Sequence, residues 1–569
     1  WDGAYDNIEN TNWGPRFDGQ VRQIGPTFPA GYPLTTQMVP YSPVPNNLRD
    51  FYETGSTFQN TVYFTGGSED SSFYLSVGDS RTQGIVPQDS YDRNTFKVNA
   101  TKKLGDVTLT LNTNYLRDRQ DVVGNNIGDQ NRTLYWFVLN TSANIPLSTY
   151  KDWDNPNSYG YADNYYNAYY QNPYWAVGTN RNVINTSRLT ANISASYDIA
   201  EWLNFTTRIG INTGNGYSKD WRARQTYNAD LQPAHSDVSS YVTDRENSFA
   251  TMNSNAILSA QFDITKDFSL IALLGATGTT EQSRNSFIAV TNLSIPDFYD
   301  VSNGTGQPSV GVREIKKRTY GVFTDLTFGY KDFLFLNASG RYDYTSTLPK
   351  EDSGYFYPSG GISFVATDAF PEMKTGPLSY LKLTVSNSTV YNDLGAYQTN
   401  ETFGQSNGFP FGGLNGFAQT GTAVDAGLTK EKINTTEVGA NFAFFRNRLT
   451  FDAAYFLTKS TDLITFTTPS ITSGSNSFLT NIGEIEGKGF ELTLGGTILK
   501  AEDFSWNMNV HYTHNEQTVK SIAEGVNEIT VATSGEVGVY AIVGEEFPQM
   551  KASSYVRDPQ GRIVVDGST

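Results

Sequence analysis

Between Glu437 and Thr458 apolar and polar residues alternate on both sides of a short turn. Val438, Ala440, Phe442 and Phe444 fall on one side of the first arm, with Glu437, Gly439, Asn441 and Ala443 on the other. Leu449, Phe451, Ala453, Tyr455 and Leu457 then alternate with Thr450, Asp452 and Thr458 on the return, and Arg446-Asn447-Arg448 is the predicted turn. Successive strand side chains point to opposite faces, so this pattern predicts a hairpin with one apolar and one polar surface. The unit recurs along the chain. Phe96, Val98 and Ala100 enter a turn at Gly105-Asp106, and Val107, Leu109, Leu111 and Tyr115 leave it opposite Asn112 and Asn114. Phe205, Ile209 and Ile211 oppose Asn204, Arg208 and Asn212; Leu334, Leu336, Ala338 and Tyr342 follow a turn at Lys331; Trp506, Met508, Val510 and Tyr512 oppose Asn507, Asn509 and His511. The template gives about 16 strands, many longer than the ~5–6 residues usual in soluble sheets.

The connections alternate in length. Short turns fall near Gly105, Glu201, Lys266, Lys331, Asn447 and Glu502, and long polar segments lie between them, about Arg119 to Asn185, Tyr217 to Glu246, Arg284 to Val312, Tyr391 to Glu431 and Thr461 to Asn481. Loops of that size exceed the ~4–6 residue median. An up-and-down barrel with short turns at one rim and long loops at the other produces this rhythm, and a wide membrane barrel needs an apolar outer face and a polar lumen. The predicted fold class is all-β, a large antiparallel transmembrane β-barrel with long extracellular loops and short periplasmic turns. Asn112, Arg208, Asn337, Arg341, Asp343, Asn441, Asn509 and His511 are then expected to face the lumen. A two-sheet sandwich with one solvated face and a β-propeller are the competing architectures. The irregular spacing disfavours the propeller, whose blades repeat every ~40–50 residues.

Composition narrows the function. At 569 residues the chain is too long for one ordinary core, since such cores stop growing near ~250–300 residues. No run of ~18 uncharged apolar residues is present, which excludes a transmembrane helix but not membrane strands. The aromatic fraction of 14% suits strands and interfacial girdles. The net charge of -17 argues against a nucleic-acid partner, and the absence of cysteine excludes disulfides and thiolate metal sites. Of the histidines His235, His511 and His514, none has metal-binding or nucleophile-activating spacing. No catalytic residue, metal or cofactor is predicted, and no enzyme activity. The chain opens at Trp1 and stops at Thr569 just after the strand-like Arg562 to Val565, and both ends read as cuts through a longer protein. Residues 1–50 read as an early strand and loop region, and 51–569 as a barrel incomplete at both ends.

Several segments resemble the SusC/RagA family of TonB-dependent outer-membrane transporters. They are Asn12-Trp13-Gly14-Pro15-Arg16-Phe17-Asp18-Gly19, the passage Thr319 to Phe364 with Ala338-Ser339-Gly340-Arg341-Tyr342-Asp343, Leu428-Thr429-Lys430-Glu431, Asn481-Ile482-Gly483-Glu484 running on to Leu492, and Arg557-Asp558-Pro559-Gln560-Gly561-Arg562. Their collinear order carries the resemblance over about Asn12 to Asp566. It implies a whole barrel of about 22 strands, a plug, an outer-membrane location in a Gram-negative, Bacteroidota-like bacterium, and a SusD-like lipoprotein lid. It also implies coupling to TonB through an N-terminal region that this sequence lacks. Membrane lipid and lipopolysaccharide would surround the wall.

The best candidate for ligand contact is Tyr150 to Trp175. There Trp153, Tyr159, Tyr161, Tyr165, Tyr166, Tyr169, Tyr170, Tyr174 and Trp175 interleave with Asn155, Asn157, Asn164, Asn167 and Asn172. Flat rings stack on sugars and amides pair with hydroxyls. The competing reading is that these aromatics pack the loop against its neighbours or a lid protein. The ligand expected is an oligosaccharide, with an oligopeptide as the alternative. A passive porin or a surface adhesion protein are the other functions the pattern admits. A second loop, Gly404 to Gly421, is rich in Gly, Asn and Phe.

Overall fold

A computed structural model describes residues 5–8, 14–128, 130–406, 409, 411–419, 421–467 and 469–565. Asn12 and Trp13 of the opening signature, Asp566, and Asn407, Gly408, Pro410 and Thr420 of the second loop lie outside the described residues. Sixteen strands form one sheet: β1 Ser56–Ser68, β2 Ser71–Gln83, β3 Ser90–Leu104, β4 Val107–Val123, β5 Asn180–Ala200, β6 Leu203–Arg222, β7 Tyr241–Asp263, β8 Phe268–Thr291, β9 Ser309–Tyr330, β10 Leu334–Thr345, β11 Gly354–Val365, β12 Leu378–Asn392, β13 Glu431–Phe444, β14 Leu449–Thr461, β15 Glu484–Lys500 and β16 Ser505–Ser521. Their order in the sheet is their order in the chain. Each link therefore returns the chain alongside the strand it has just left.

The links at one end of the strands are short, as at 69–70, 105–106, 201–202, 331–333 and 445–448, while 124–179, 223–240, 292–308 and 393–430 connect the other end. One link at the short end departs from expectation: between β11 and β12 the chain makes two helical turns, Ala366–Ala369 and Pro371–Thr375. The long connections are shorter than predicted. The expected loop Arg119–Asn185 is 124–179, Tyr217–Glu246 is 223–240 and Arg284–Val312 is 292–308. Alternation of polarity ends before the strands do. At the end of β4, from Arg117 to Asp121, both faces are polar and the ladder continues through pairs such as Arg93 with Asp118 and Asp92 with Arg119. The expected loop Thr461–Asn481 also holds two short strands, Ile464–Thr467 and Ser477–Asn481, paired with each other.

Register confirms the two faces. The opening hairpin pairs Val438 with Tyr455, Ala440 with Ala453 and Phe442 with Phe451, and the same face continues through Leu492 and Tyr512. Its turn takes in Phe445 besides the predicted residues, and Phe445, Arg446 and Asn447 all hold positive φ, which non-glycine residues rarely do. In β9 to β11 the apolar face carries Val322, Tyr342 and Phe356 in one row, and in β1 to β3 it carries Val62, Val77 and Phe96. These side chains are open: Val62 is 74% exposed, Val322 57% and Val438 51%. A water-soluble sheet would cover such a face; lipid is the medium that suits it left bare.

By contact the chain divides into two compact units: Trp1–Ala195, Ile209–Met252 and Glu281–Lys316 in the first, and Ser196–Arg208, Asn253–Thr280 and Lys317–Thr569 in the second. The largest buried cluster of the first unit joins Ile24 and Phe51 to Ile127, Phe137, Leu147, Tyr150, Tyr166, Trp175 and Val238. That of the second is small and joins Leu348, Tyr355, Leu394, Leu428 and Leu479.

Candidate functional site

Loop 124–179 is built around two short helices, α1 Leu134–Leu139 and α2 Pro173–Thr179. Pro173 opens α2, and the Asn172 side chain caps it by accepting the Tyr174 N–H at 3.0 Å. Proline suits a first helical position because its missing N–H has no partner to lose there. The Asn172 amide also donates to the carbonyls of Tyr150 and Gly160, at 2.8 Å each. Asn164 holds the carbonyls of Pro156 and Ser158, and Asn167 accepts the N–H groups of Tyr169 and Tyr170. These three asparagines thus satisfy backbone groups inside the loop, which a buried irregular segment requires.

The aromatic residues divide into two sets. Tyr165, Tyr166, Tyr174 and Trp175 are buried with Tyr150, in edge and tilted ring contacts such as Tyr150–Tyr165 at 5.1 Å and Tyr165–Tyr166 at 4.9 Å. Burial pushes the phenols of Tyr150, Tyr165 and Tyr166 above their ordinary range, so they stay neutral. Of the predicted contact residues, Tyr165, Tyr166 and Trp175 therefore lie in the packed interior, because a polar loop this long needs a core of its own. Tyr169 is exposed, and Trp153, Tyr159, Tyr161 and Tyr170 are half-buried. Trp153 lies against Gly178, where a Cβ would fall 2.7 Å from the indole, and the Tyr159 hydroxyl donates to the Thr35 carbonyl. The segment before β1 supplies much of the packing: Tyr32 donates to Asn164, Tyr150 donates to Gln37, and Gly25 at φ +70 sits against Tyr166.

Two further contacts fix the loop. Loop 223–240 covers it, with Gln232 donating to the Tyr165 carbonyl at 2.7 Å and His235 Nε2 donating to the Asn167 carbonyl at 2.9 Å. At its end the buried Arg181 guanidinium binds Asp89 at 2.9 Å, Asp121 at 2.7 Å and the Gln88 carbonyl at 3.0 Å. The surface left open holds residues that sequence reasoning passed over. Tyr135 and Trp136 of α1 are exposed; Tyr170 meets Trp136 edge-on at 6.4 Å, and the Arg132 guanidinium lies 4.8 Å from the Trp136 ring. The run Leu134-Tyr135-Trp136-Phe137-Val138-Leu139 held the signal, since at helical spacing not all of its large side chains can turn inward.

The residues expected on the polar face share a face where register is defined. Asn337, Arg341 and Asp343 lie opposite the Val322 row, Asn441, Asn509 and His511 lie opposite the Val438 row, and Asn112 pairs with Asn99 away from Tyr115. Arg208 shares the parity of Asn204 and Asn212 on β6. Cross-strand bonds connect several of them: Asn441 to Asp452 at 2.7 Å, Asn337 to Asp325 at 3.1 Å, and His511 Nδ1 with the Thr493 hydroxyl at 3.0 Å. Arg341 holds Asp343 at 2.8 Å and Thr277 at 2.7 Å. In the second unit Asp393, just past β12, gathers Lys317 at 2.9 Å and the hydroxyls of Thr345 and Thr347 at 2.6 and 2.8 Å. Burial alone would raise its carboxyl, but these hydrogen bonds outweigh burial and hold it below the usual range. Among the described residues no group of three or more His, Asp or Glu side chains is placed to hold a metal ion.

Bare apolar strands, hairpin connections and one set of long loops define an outer-membrane β-barrel. A family model described as TonB dependent receptor-like, beta-barrel, matches residues 135–548, and the chain belongs to that family. TonB-dependent receptor P26 of Formosa agariphila is 23% identical over 522 residues, 89% of this chain and 50% of that protein. TonB-dependent receptor SusC of Bacteroides thetaiotaomicron is 22% identical over 533 residues, 86% of this chain and 49% of that protein. Among solved structures, the RagAB peptide transporter superposes with a TM-score of 0.73 at 18% identity, covering 89% of this chain and 55% of that one. The SusC/RagA resemblance read from the sequence agrees with these relatives. The chain spans about half the length of the curated relatives it matches.

Proposed function

We propose that the whole protein imports oligosaccharides across the outer membrane by TonB-dependent transport, with a SusD-like lipoprotein as lid. The family match over residues 135–548 supports transport, and the polar face with Asn112, Arg208, Asn337, Arg341, Asp343, Asn441, Asn509 and His511 would line the lumen. The observation that carries the substrate class is the exposed Trp136 ring beside Tyr170, with Tyr135 and Tyr169 exposed on the same loop. Flat, rigid rings offer contact area to sugar C–H faces at low entropic cost, and half-buried Trp153, Tyr159, Tyr161 and Tyr170 border the same loop. Peptide uptake is the alternative; the RagAB proteins are described as a peptide transporter.

Titration of the full-length protein with neutral oligosaccharides and with peptides of matched size tests the substrate. Binding of an oligosaccharide that weakens about tenfold in Trp136→Ala, as expected for loss of one well-packed aromatic contact, supports the reading. Peptide binding alone would overturn the glycan assignment. Uptake that persists in a strain lacking TonB would overturn the transport assignment.

A further inference from the structure

One cavity lies on the wrong face for a lumen. It has a volume of about 490 Å³ and belongs to the first unit, and its lining includes Tyr115, Ser187, Asn215, Ser248, Gln282 and Arg284. Tyr115 shares its face of β4 with Leu109 and Leu111, which is the apolar face. Asn215 shares its face of β6 with Ile209 and Ile211, and Ser187 Oγ donates to Asn215 Oδ1. The opposite face is marked by Arg188, which donates to Asn212 at 2.7 Å, and by Phe249, whose ring covers Gly214 so closely that a Cβ there would fall 2.8 Å away. Arg188 and Phe249 thus close the floor of the cleft from the polar side, and the cleft opens on the apolar one.

Its position along the strands is equally defined. Leu109, Ile193, Ile209, Ile211 and Met252 are exposed on the same faces of the same strands, each nearer the short-turn end than the cleft residue of its own strand. The apolar strip therefore leads up to the cleft, and the cleft sits toward the long-loop end, where a membrane face passes from acyl chains to headgroups. Hydroxyls and amides make up much of its lining, with Arg188, Arg284 and Glu314 as its charged members. That is the chemistry of a polyhydroxyl ligand, which needs both donors and acceptors, and the Tyr115 ring adds a stacking surface.

We propose that this cleft binds the saccharide headgroup of an outer-leaflet glycolipid whose acyl chains lie along Ile193, Ile209, Ile211 and Met252. The proposal rests on the outer-membrane assignment but not on the transported substrate. The test uses the full-length protein in a detergent without sugar groups, titrated with rough lipopolysaccharide and followed by native mass spectrometry, with phosphatidylglycerol and a tail-less oligosaccharide as competitors. One tightly held lipopolysaccharide is expected, displaced by neither competitor. Affinity should fall at least about tenfold in Asn215→Leu/Gln282→Leu, which removes two side chains able to hydrogen-bond the headgroup. Leucine suits a lipid-facing position, and Ser187→Val/Ser248→Val carries the same expectation should the leucine pair fail to assemble. Unchanged affinity in both pairs, or displacement by phosphatidylglycerol at equal concentration, overturns the proposal.

Discussion

The strand wall and loop 124–179 are both rich in aromatic and aliphatic residues, yet they treat them in opposite ways. On the wall, Val322, Tyr342, Val438 and Tyr455 stand in rows on an open face. In the loop, Tyr150 and Tyr166 are 0% and 1% exposed, inside a core completed by Ile24 and Phe51. The difference is one of solvent. A strand in lipid satisfies its backbone in the ladder and gains nothing by hiding its side chains, whereas a loop in water must bury them to order itself. Asparagine follows the same division: Asn441 and Asn337 bridge neighbouring strands, while Asn164 and Asn172 bind backbone carbonyls of the loop.

That contrast breaks most sharply at the loop core. Tyr166→Ala should cost about 3–5 kcal/mol of local stability, the usual cost of deleting a buried aromatic ring. Hydrogen exchange is expected to quicken across 124–179 and the segment near Gly25 while β13 to β16 stay protected. Arg181→Met ranks next, at about 3 kcal/mol, because it leaves Asp89 and Asp121 beside a lost cation; protease should then cut the loop at lower concentration. On the wall, Val438→Lys should destabilise the barrel by about 2 kcal/mol in a denaturant series in lipid vesicles. The same lysine at Glu437, on the opposite face, should be nearly silent. Asn441→Ala, which removes the bond to Asp452, should cost about 1 kcal/mol in that series.

The smallest effect is expected from pH. The folded-state carboxyl of Asp393 is held below its usual value, so its contribution is complete above the ordinary carboxylate range and fades as pH falls through the lowered value. Protection factors in 393–430, which divide out the intrinsic pH dependence of amide exchange, should fall on acidification and stay constant near neutrality. If protection instead falls on going alkaline, the knot of Lys317, Thr345 and Thr347 around Asp393 does not govern that loop.

Most of the wall was legible from residue order. The two arms of the Glu437–Thr458 hairpin, their apolar face, the sheet of chain neighbours and the polar row through Asn441 and Asn509 follow from period-two alternation, because a strand exposes its faces in strict turn, whereas the register was set by a turn that takes in Phe445 as well. Where both faces turn polar, as at the end of β4, the signal fades although pairs such as Asp92 with Arg119 continue the ladder. Within 124–179 the sequence marked an aromatic segment, but not which rings face inward. That depends on residues far away in the chain: Gly25 closing on Tyr166, Gln37 on Tyr150 and Gln232 on Tyr165. Only packing in three dimensions decided that Tyr166 and Trp175 are core while Trp136 is surface. A helix or irregular loop has no fixed parity, so burial there is set by contact rather than by position in the sequence.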